Sequence, residues 1–207
     1  MTQNKIIIGI TGNSGSGKST VSRILEESGV YVLDADKLAH KAMEPGNKAY
    51  DEIVEEFGTG ILDDSENIKS SKNSKKIDRK KLGRLVFSDK SKRTRLEEIL
   101  HPRVIETIKF KIAEAEHPTI AIDAVLLIES GLNHCCNTVW LISASEETRL
   151  LRIIARDSLS SEAATARMRN QRDPQTLAKF AHIIINNDGD INDLQKQVEQ
   201  ALERSIH

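Results

Sequence analysis

The chain has 207 residues, enough for one domain with a full hydrophobic core. Its 30 Lys and Arg against 31 Asp and Glu leave a net charge of −1, so no overall field selects a polyanionic or polycationic partner. Aromatic residues make up 3%, too few for a surface that stacks single-stranded bases, and no apolar run approaches the ~20 residues that span a bilayer.

Lys5 to Ile10 reads as a short buried strand, and its Ile6-Ile7-Ile8 run stops at Gly9 without the pattern of a secretory leader. Gly12-Asn13-Ser14-Gly15-Ser16-Gly17-Lys18-Ser19 then fits the phosphate-loop pattern G-x-x-x-x-G-K-[ST] at every fixed position. Glycines let the backbone curl and turn successive N–H groups toward one anion, and the helix opening at Thr20 adds its positive end. In this motif Lys18 reaches the β- and γ-phosphates and the Ser19 hydroxyl holds Mg²⁺. Val30 to Asp34 makes a second strand ending in Asp34-Ala35-Asp36. Lys37 to about Phe57 is helical, broken at Pro45-Gly46. Ser65 to Lys76 is rich in Ser and Lys and cannot bury a core, so a mobile surface loop is expected. Arg79 to Phe87 and Lys90 to Leu100 are helical, His101-Pro102 marks a boundary, and Val104 to Glu116 is an amphipathic helix.

A third strand over Thr119 to Asp123 runs into Val125-Leu126-Leu127-Ile128-Glu129. Cys135 and Cys136 are the only cysteines; adjacent, they suit neither a structural disulfide nor a metal site and read as packing residues in a reduced cytoplasm. Thr138 to Ile142 is a fourth strand, Ser145 caps a helix starting near Glu146, and arginine-rich helical sequence reaches about Arg172. Ala181 to Asn186 is a fifth strand, and Ile191 to Arg204 a last helix. Short apolar strands alternating with helices specify an α/β fold with a parallel sheet covered on both faces.

Three groupings carry chemistry. Asp34 and Asp36 end the second strand at the sheet edge where ligands bind; two residues apart on extended chain, their side chains point the same way. Either could accept a proton or hold a water on Mg²⁺, or the pair could simply cap the next helix. Arg152 and Arg156 share a helix face, followed by Arg167, Arg169, Gln171 and Arg172; arginines on a closing lid can neutralise a phosphoryl group in transit, or can line a solvated helix face. Lys69 to Arg95 holds twelve Lys or Arg against Asp78 and Asp89, a patch for a multiply phosphorylated substrate. His101 could be a base or phosphate ligand, though an isolated His is more often structural, and no His/Cys cluster has metal-ligand spacing.

Taken together these residues resemble the dephospho-CoA kinases from about Lys5 to Leu202. The ordered series carries the likeness: the phosphate loop, Asp34-Ala35-Asp36 with Ala39-His40, Glu44-Pro45-Gly46, Asp78-Arg79 with Leu82-Gly83 and Val86-Phe87, His101-Pro102, Leu126-Leu127 with Glu129, Arg152 with Arg156-Asp157, Arg167 with Gln171, and Asn187 with Gly189. The resemblance implies one catalytic domain over 5–204: a five-stranded parallel phosphate-loop kinase core with helices on both faces, a helical substrate-binding insertion at about 38–104 and an arginine-rich lid at about 146–172. It implies transfer of the γ-phosphoryl of ATP, with Mg²⁺, to the ribose 3′-hydroxyl of dephospho-CoA. Asp36, as general base, and Lys18, Arg152 and Arg156 would be catalytic. Gly12, Asn13, Ser14, Gly15, Ser16, Gly17, Lys18, Ser19 and Thr20 would bind ATP, with Asn187 in the adenine pocket and Ser19 on Mg²⁺. Thr11, Asp34, Asp36, Arg79 and His101 would meet the acceptor. The implied partners are the two small molecules, with no nucleic acid and no membrane, in a cytoplasmic monomer or small homo-oligomer. Three departures stand out: Val125 in place of proline, His182 in place of aspartate, and the Ser/Lys segment, which looks inserted.

Three other readings compete. Another phosphate-loop small-molecule kinase would share most of these groups. A nucleotide-driven switch or a nucleic-acid-associated ATPase would use the same loop, but the N-K-x-D guanine motif is absent.

Overall fold

The computed structural model of the chain describes residues 5–63, 75–169 and 171–206. It divides into two compact units: Met1–Asp34 together with Glu114–His207, and the intervening Ala35–Ala113.

The first unit is built on five strands: β1 (Ile6–Thr11), β2 (Tyr31–Asp34), β3 (Thr119–Asp123), β4 (Thr138–Ser143) and β5 (Ile183–Asn186). All pair in parallel, in the order β2-β3-β1-β4-β5. Parallel strands need crossovers, and the connecting helices cover both sheet faces. On one face Ile8 and Ile10 of β1 meet Val21, Ile24 and Leu25 of α1 (Lys18–Glu27) and Leu194 and Val198 of α9 (Ile191–Ile206). On the other, Gly9 lies under Leu127 and Cys136; a Cβ there would come within 2.8 Å of both. Burial pushes the Cys136 thiol up to about 12. Trp140 of β4 is fully buried and donates Nε1–H to Ser205 Oγ (3.1 Å).

Ile8 is 0% exposed and sits between the two helices of that core. Ile8→Ala is therefore expected to lose about 2–5 kcal/mol, lowering Tm by about 2–4 °C for each kcal/mol. Thermal unfolding checks it, and a loss below about 1 kcal/mol would contradict the packing described.

The second unit contains α2 (Ala35–Ala42), α3 (Lys48–Phe57), α4 (Arg79–Phe87) and all but the last residue of α5 (Lys90–Glu114). Its core gathers Tyr50 and Ile53 of α3, Ile61, Leu62, Ile77, Leu82 and Val86, and Ile99 of α5. Leu62 bridges Ile77, Asp63 N–H donates to Lys76 O (2.9 Å) and the Tyr50 hydroxyl to Lys75 O (2.6 Å). The expected Ser65–Lys76 loop otherwise lies outside the described residues.

One expectation needs correction. The boundary at His101-Pro102 does not exist: Pro102 lies inside the 25-residue helix α5. Proline there removes one helical hydrogen bond and costs about 3 kcal/mol. Burial of Ile99 before it and of Val104 and Ile108 after it offsets that cost. The third strand spans Thr119–Asp123 as expected, and the apolar 125–129 that follows is a turn in which Ser130 N–H donates to Leu126 O (2.9 Å). An unbroken apolar run looks the same as strand or turn; here Leu127 alone of Val125, Leu126 and Leu127 is buried. A short helix, α8 (Pro174–Ala178), also escaped the sequence reading, although Asp173 as cap and Pro174 as first residue signal it.

Candidate phosphate-binding and phosphoryl-transfer site

Residues 12–17 join β1 to α1 inside the first unit. Gly15 and Gly17 have φ of +81° and +98°, where an L side chain is strained, so the loop can turn back on itself. Gly17 occupies the cap position of α1 and brings no side chain to it, and the first turn of α1 has no acidic residue. The positive helix end is thereby left to a bound anion. Lys18 donates from Nζ to Gly12 O (3.0 Å), and Ser19 is exposed on the first turn.

The helix α6 (Glu146–Asp157), capped by Ser145 Oγ, lays three arginines against this loop. Arg149, Arg152 and Arg156 recur at i, i+3 and i+7, which places them on one face. Arg149 is buried and donates Nε–H to Ser14 O (3.2 Å) and Nη2–H to Gln171 Oε1 (2.9 Å). Burial lowers the Arg149 guanidinium from its usual value, with Glu146 acting weakly the other way. Gln171 Oε1 also accepts from Ser14 N–H (3.2 Å), and Arg152 donates to Gly15 O (3.4 Å). Arg156 donates to Ser14 Oγ (3.3 Å) and, from Nε and Nη2, to both oxygens of Asp157. Asp157 also receives Arg167, which follows in α7 (Ser161–Arg169), at 2.6 Å. The hydrogen bond from Arg156, then the nearby charges of Arg156 and Arg167, hold the Asp157 carboxyl below the usual carboxylate range. Arg172 pairs with Glu129 (2.8 Å), and its carbonyl accepts from Asn13 Nδ2 (2.9 Å).

Parallel register brings Asp34, Asp123 and Ile10 level, so the ends of β2, β3 and β1 share one edge with the loop. Asp123 Oδ2 accepts from Ser22 Oγ (2.8 Å), which ties that carboxylate to α1. Thr11 is buried and donates from Oγ1 to Val125 O (3.4 Å), a contact that proline at 125 would also allow. Asn187 is buried after β5, its Nδ2 donating to Ser16 O (2.8 Å). His182 clips the start of β5 to β4: its Nδ1 accepts from Val139 N–H (3.0 Å) and its own N–H donates to Val139 O (2.8 Å).

The remaining expected residues belong to the second unit. Asp36 is exposed in the first turn of α2, where the positive helix end favours a carboxylate. It therefore does not share an extended face with Asp34, as the spacing suggested: β2 ends at Asp34, and burial of Ala35 starts the helix immediately. Arg79 donates from Nη1 to His40 Nδ1 (3.0 Å), and His101 is half-buried in the middle of α5. Arg95 pairs with Glu56 of α3 (2.9 Å), which takes one cation out of the basic patch, and Arg103 beyond it pairs with Glu52 (2.6 Å). From sequence, Arg149 lies in the arginine-rich stretch from 149 to 172 without a role of its own, and Asp123 is only the end of the third strand. The i, i+3, i+7 spacing of 149, 152 and 156, and a third acidic residue at a strand end on the ligand edge, were the signals available.

The dephospho-CoA kinase family model matches residues 6–193. The chain belongs to the dephospho-CoA kinase family. A dephospho-CoA kinase of Geobacter sulfurreducens is 40% identical over 197 residues, covering 94% of this chain and 95% of that one. A solved structure from Thermus thermophilus superposes with a TM-score of 0.80 at 33% identity, over 97% of this chain and 98% of its own. The dephospho-CoA kinase of Campylobacter jejuni gives 0.66 at 30% identity, over 96% of each chain. The five-stranded parallel sheet and its phosphate loop are the kinase core expected of that family. Membership makes ATP the co-substrate. No helix among the described residues is long and apolar enough to cross a membrane.

The donors available fit a hard divalent cation carried by the nucleotide. Ser19, Asp34 and Asp123 offer oxygen only, the preferred donor of Mg²⁺, and no cluster of three or more His, Cys, Asp or Glu among the described residues forms a separate cage.

Proposed function

We propose that this chain transfers the γ-phosphoryl group of ATP to the ribose 3′-hydroxyl of dephospho-CoA, giving coenzyme A and ADP. The observation that carries the reading is the union of a complete phosphate loop, three arginines laid against it and the family match over 6–193. Phosphoryl transfer asks a protein mainly for positioning and for charge placed where negative charge develops.

In this reading the loop amides and the α1 terminus receive the β- and γ-phosphates, and Lys18 leaves Gly12 O for the γ-phosphoryl oxygens. Ser19, with the nucleotide phosphates, would hold Mg²⁺, which would help neutralise the charge that moves in the transfer. Arg156 and Arg167, already oriented by Asp157, stand ready to follow that charge, with Arg152 beside them. Asp36 orients the acceptor hydroxyl and takes its proton; Thr11 and Asp34 border the acceptor, and Arg79 and His101 bind its phosphates. Residues 38–104 serve the acceptor and 146–172 act as the lid. The partners are then the two small molecules and not nucleic acid. ATP and the acceptor place the work in the cytoplasm, by a monomer or small homo-oligomer.

The test is ADP release from ATP and Mg²⁺ with and without dephospho-CoA. Release that depends on the acceptor is expected; equal release without it would favour an ATPase or switch.

A further inference from the structure

Four side chains around the phosphate loop share a geometric habit: they hold its carbonyl oxygens. Lys18 holds Gly12 O (3.0 Å), Arg149 holds Ser14 O (3.2 Å), Arg152 holds Gly15 O (3.4 Å) and Asn187 holds Ser16 O (2.8 Å). A trans peptide is planar, with its C=O and the next N–H pointing in opposite directions. Pinning a carbonyl from outside therefore fixes where the following amide aims. The Asn187 bond to Ser16 O turns the Gly17 N–H away from Asn187, at the start of α1, where anion-binding amides are needed.

Asn187 is the strongest case. It is 6% exposed, and its Nδ2 has this loop carbonyl as its partner across 171 residues of sequence. A Cβ at Gly17 would overlap Asn187 Nδ2, so the glycine and the asparagine are fitted to one another. One of the two Nδ2 hydrogens is committed to the backbone, and that bond together with the close fit to Gly17 sets the orientation of the amide.

We infer that Asn187 is a positioning residue for the phosphate loop: it aims the Gly17 amide at the nucleotide phosphates and governs affinity for the polyphosphate, not the choice of base. This rests on the reading that the loop binds ATP, and it replaces the adenine-pocket role the resemblance implied for Asn187.

Inorganic tripolyphosphate, which has no base, separates the two roles. Calorimetric titration would compare tripolyphosphate, ATP and GTP, each with Mg²⁺, on the unaltered protein and on Asn187→Ala. The expected result is weakening of tripolyphosphate and ATP by the same factor, on the order of 10-fold for loss of one buried hydrogen bond with its carbonyl left unpaired, and an unchanged ATP-to-GTP ratio. Asn187→Leu keeps the volume without the donor and must give the same pattern, which covers the case in which the alanine variant does not fold. Normal tripolyphosphate affinity with weakened ATP, or a changed ATP-to-GTP ratio, would overturn the inference in favour of base recognition. Failure of the unaltered protein to bind tripolyphosphate or ATP would overturn the phosphate-loop reading itself, and the inference with it.

Discussion

Lys18→Ala is expected to lower turnover by about 10²–10³-fold or more while leaving the fold intact. The ammonium sits on the first residue of α1 and rests on Gly12 O at 3.0 Å. That contact is one hydrogen bond to a neutral carbonyl, so its loss costs about 1 kcal/mol or less of stability. The charge on the γ-phosphoryl oxygens is redistributed as the bond to the leaving oxygen lengthens, and a fixed cation there is worth more in the transition state than in the ground state. The effect should therefore appear chiefly in kcat, with a smaller rise in the KM for ATP. Steady-state kinetics alongside a melting curve make the check. Near-normal turnover in a folded variant would remove Lys18 from the mechanism and the phosphate loop from the site.

Asp36→Asn should lose on the order of 10²-fold or more in turnover, the usual scale for a positioned acid–base group. It should still bind ATP and dephospho-CoA. A ribose hydroxyl is a weak nucleophile at neutral pH and a carboxylate a poor base for it in the ground state. The proton accordingly moves late, as the new bond to phosphorus develops, and until then the carboxylate keeps the hydroxyl in line. Asparagine preserves the shape but can neither take the proton nor accept from the hydroxyl through a charge. Asp36 is exposed in the first turn of α2, so neutralising it gives up about 0.3–1 kcal/mol of favourable interaction with the helix end. A melting temperature within a few degrees of the parent would thus accompany the kinetic loss. Asp34→Asn should cost less if Asp34, at the end of β2, acts only as a support. Single-turnover chemistry and binding must be measured separately on both variants. Normal turnover by Asp36→Asn with an inactive Asp34→Asn would reverse the two roles.

What the sequence carried and what it did not follow from the range of the interactions involved. The phosphate loop was legible because its function depends on backbone shape, which Gly15 and Gly17 set locally, and on a lysine at a fixed step along the chain. The strands were legible as short apolar runs: β1, β3 and β4 are buried along nearly their whole length, and the edge strands β2 and β5 keep Leu33 and Ile185 buried. Pro102 was misread because local propensity predicts a boundary, while the burial of Ile99, Val104 and Ile108 is a property of the packed helix. Asp36 was placed on a strand face because a two-residue spacing does not reveal where a strand gives way to a helix. The bonds of Asn187 to Ser16 O and of Gln171 to Ser14 N–H join residues more than 150 positions apart, and no local pattern announces them. Arg149 is intermediate: its helix face is readable, but its burial and its hold on Ser14 O belong to the tertiary structure.

Arg156 and Arg167 both pair with Asp157, whereas Arg149 is buried and holds the loop backbone through Ser14 O. In the proposed reaction the first two would meet the phosphates and the third would keep the shape of the loop.

The central claim is that one phosphoryl group passes from ATP to one hydroxyl of the acceptor, and the product's structure tests it most directly. Dephospho-CoA is incubated with ATP, Mg²⁺ and the protein, and the purified product is examined by mass spectrometry and phosphorus NMR. The account predicts a single new phosphomonoester on the ribose 3′-oxygen, formed in equal amount to ADP and indistinguishable from coenzyme A. A phosphate at any other position, or ADP and inorganic phosphate with the acceptor unchanged, would contradict it.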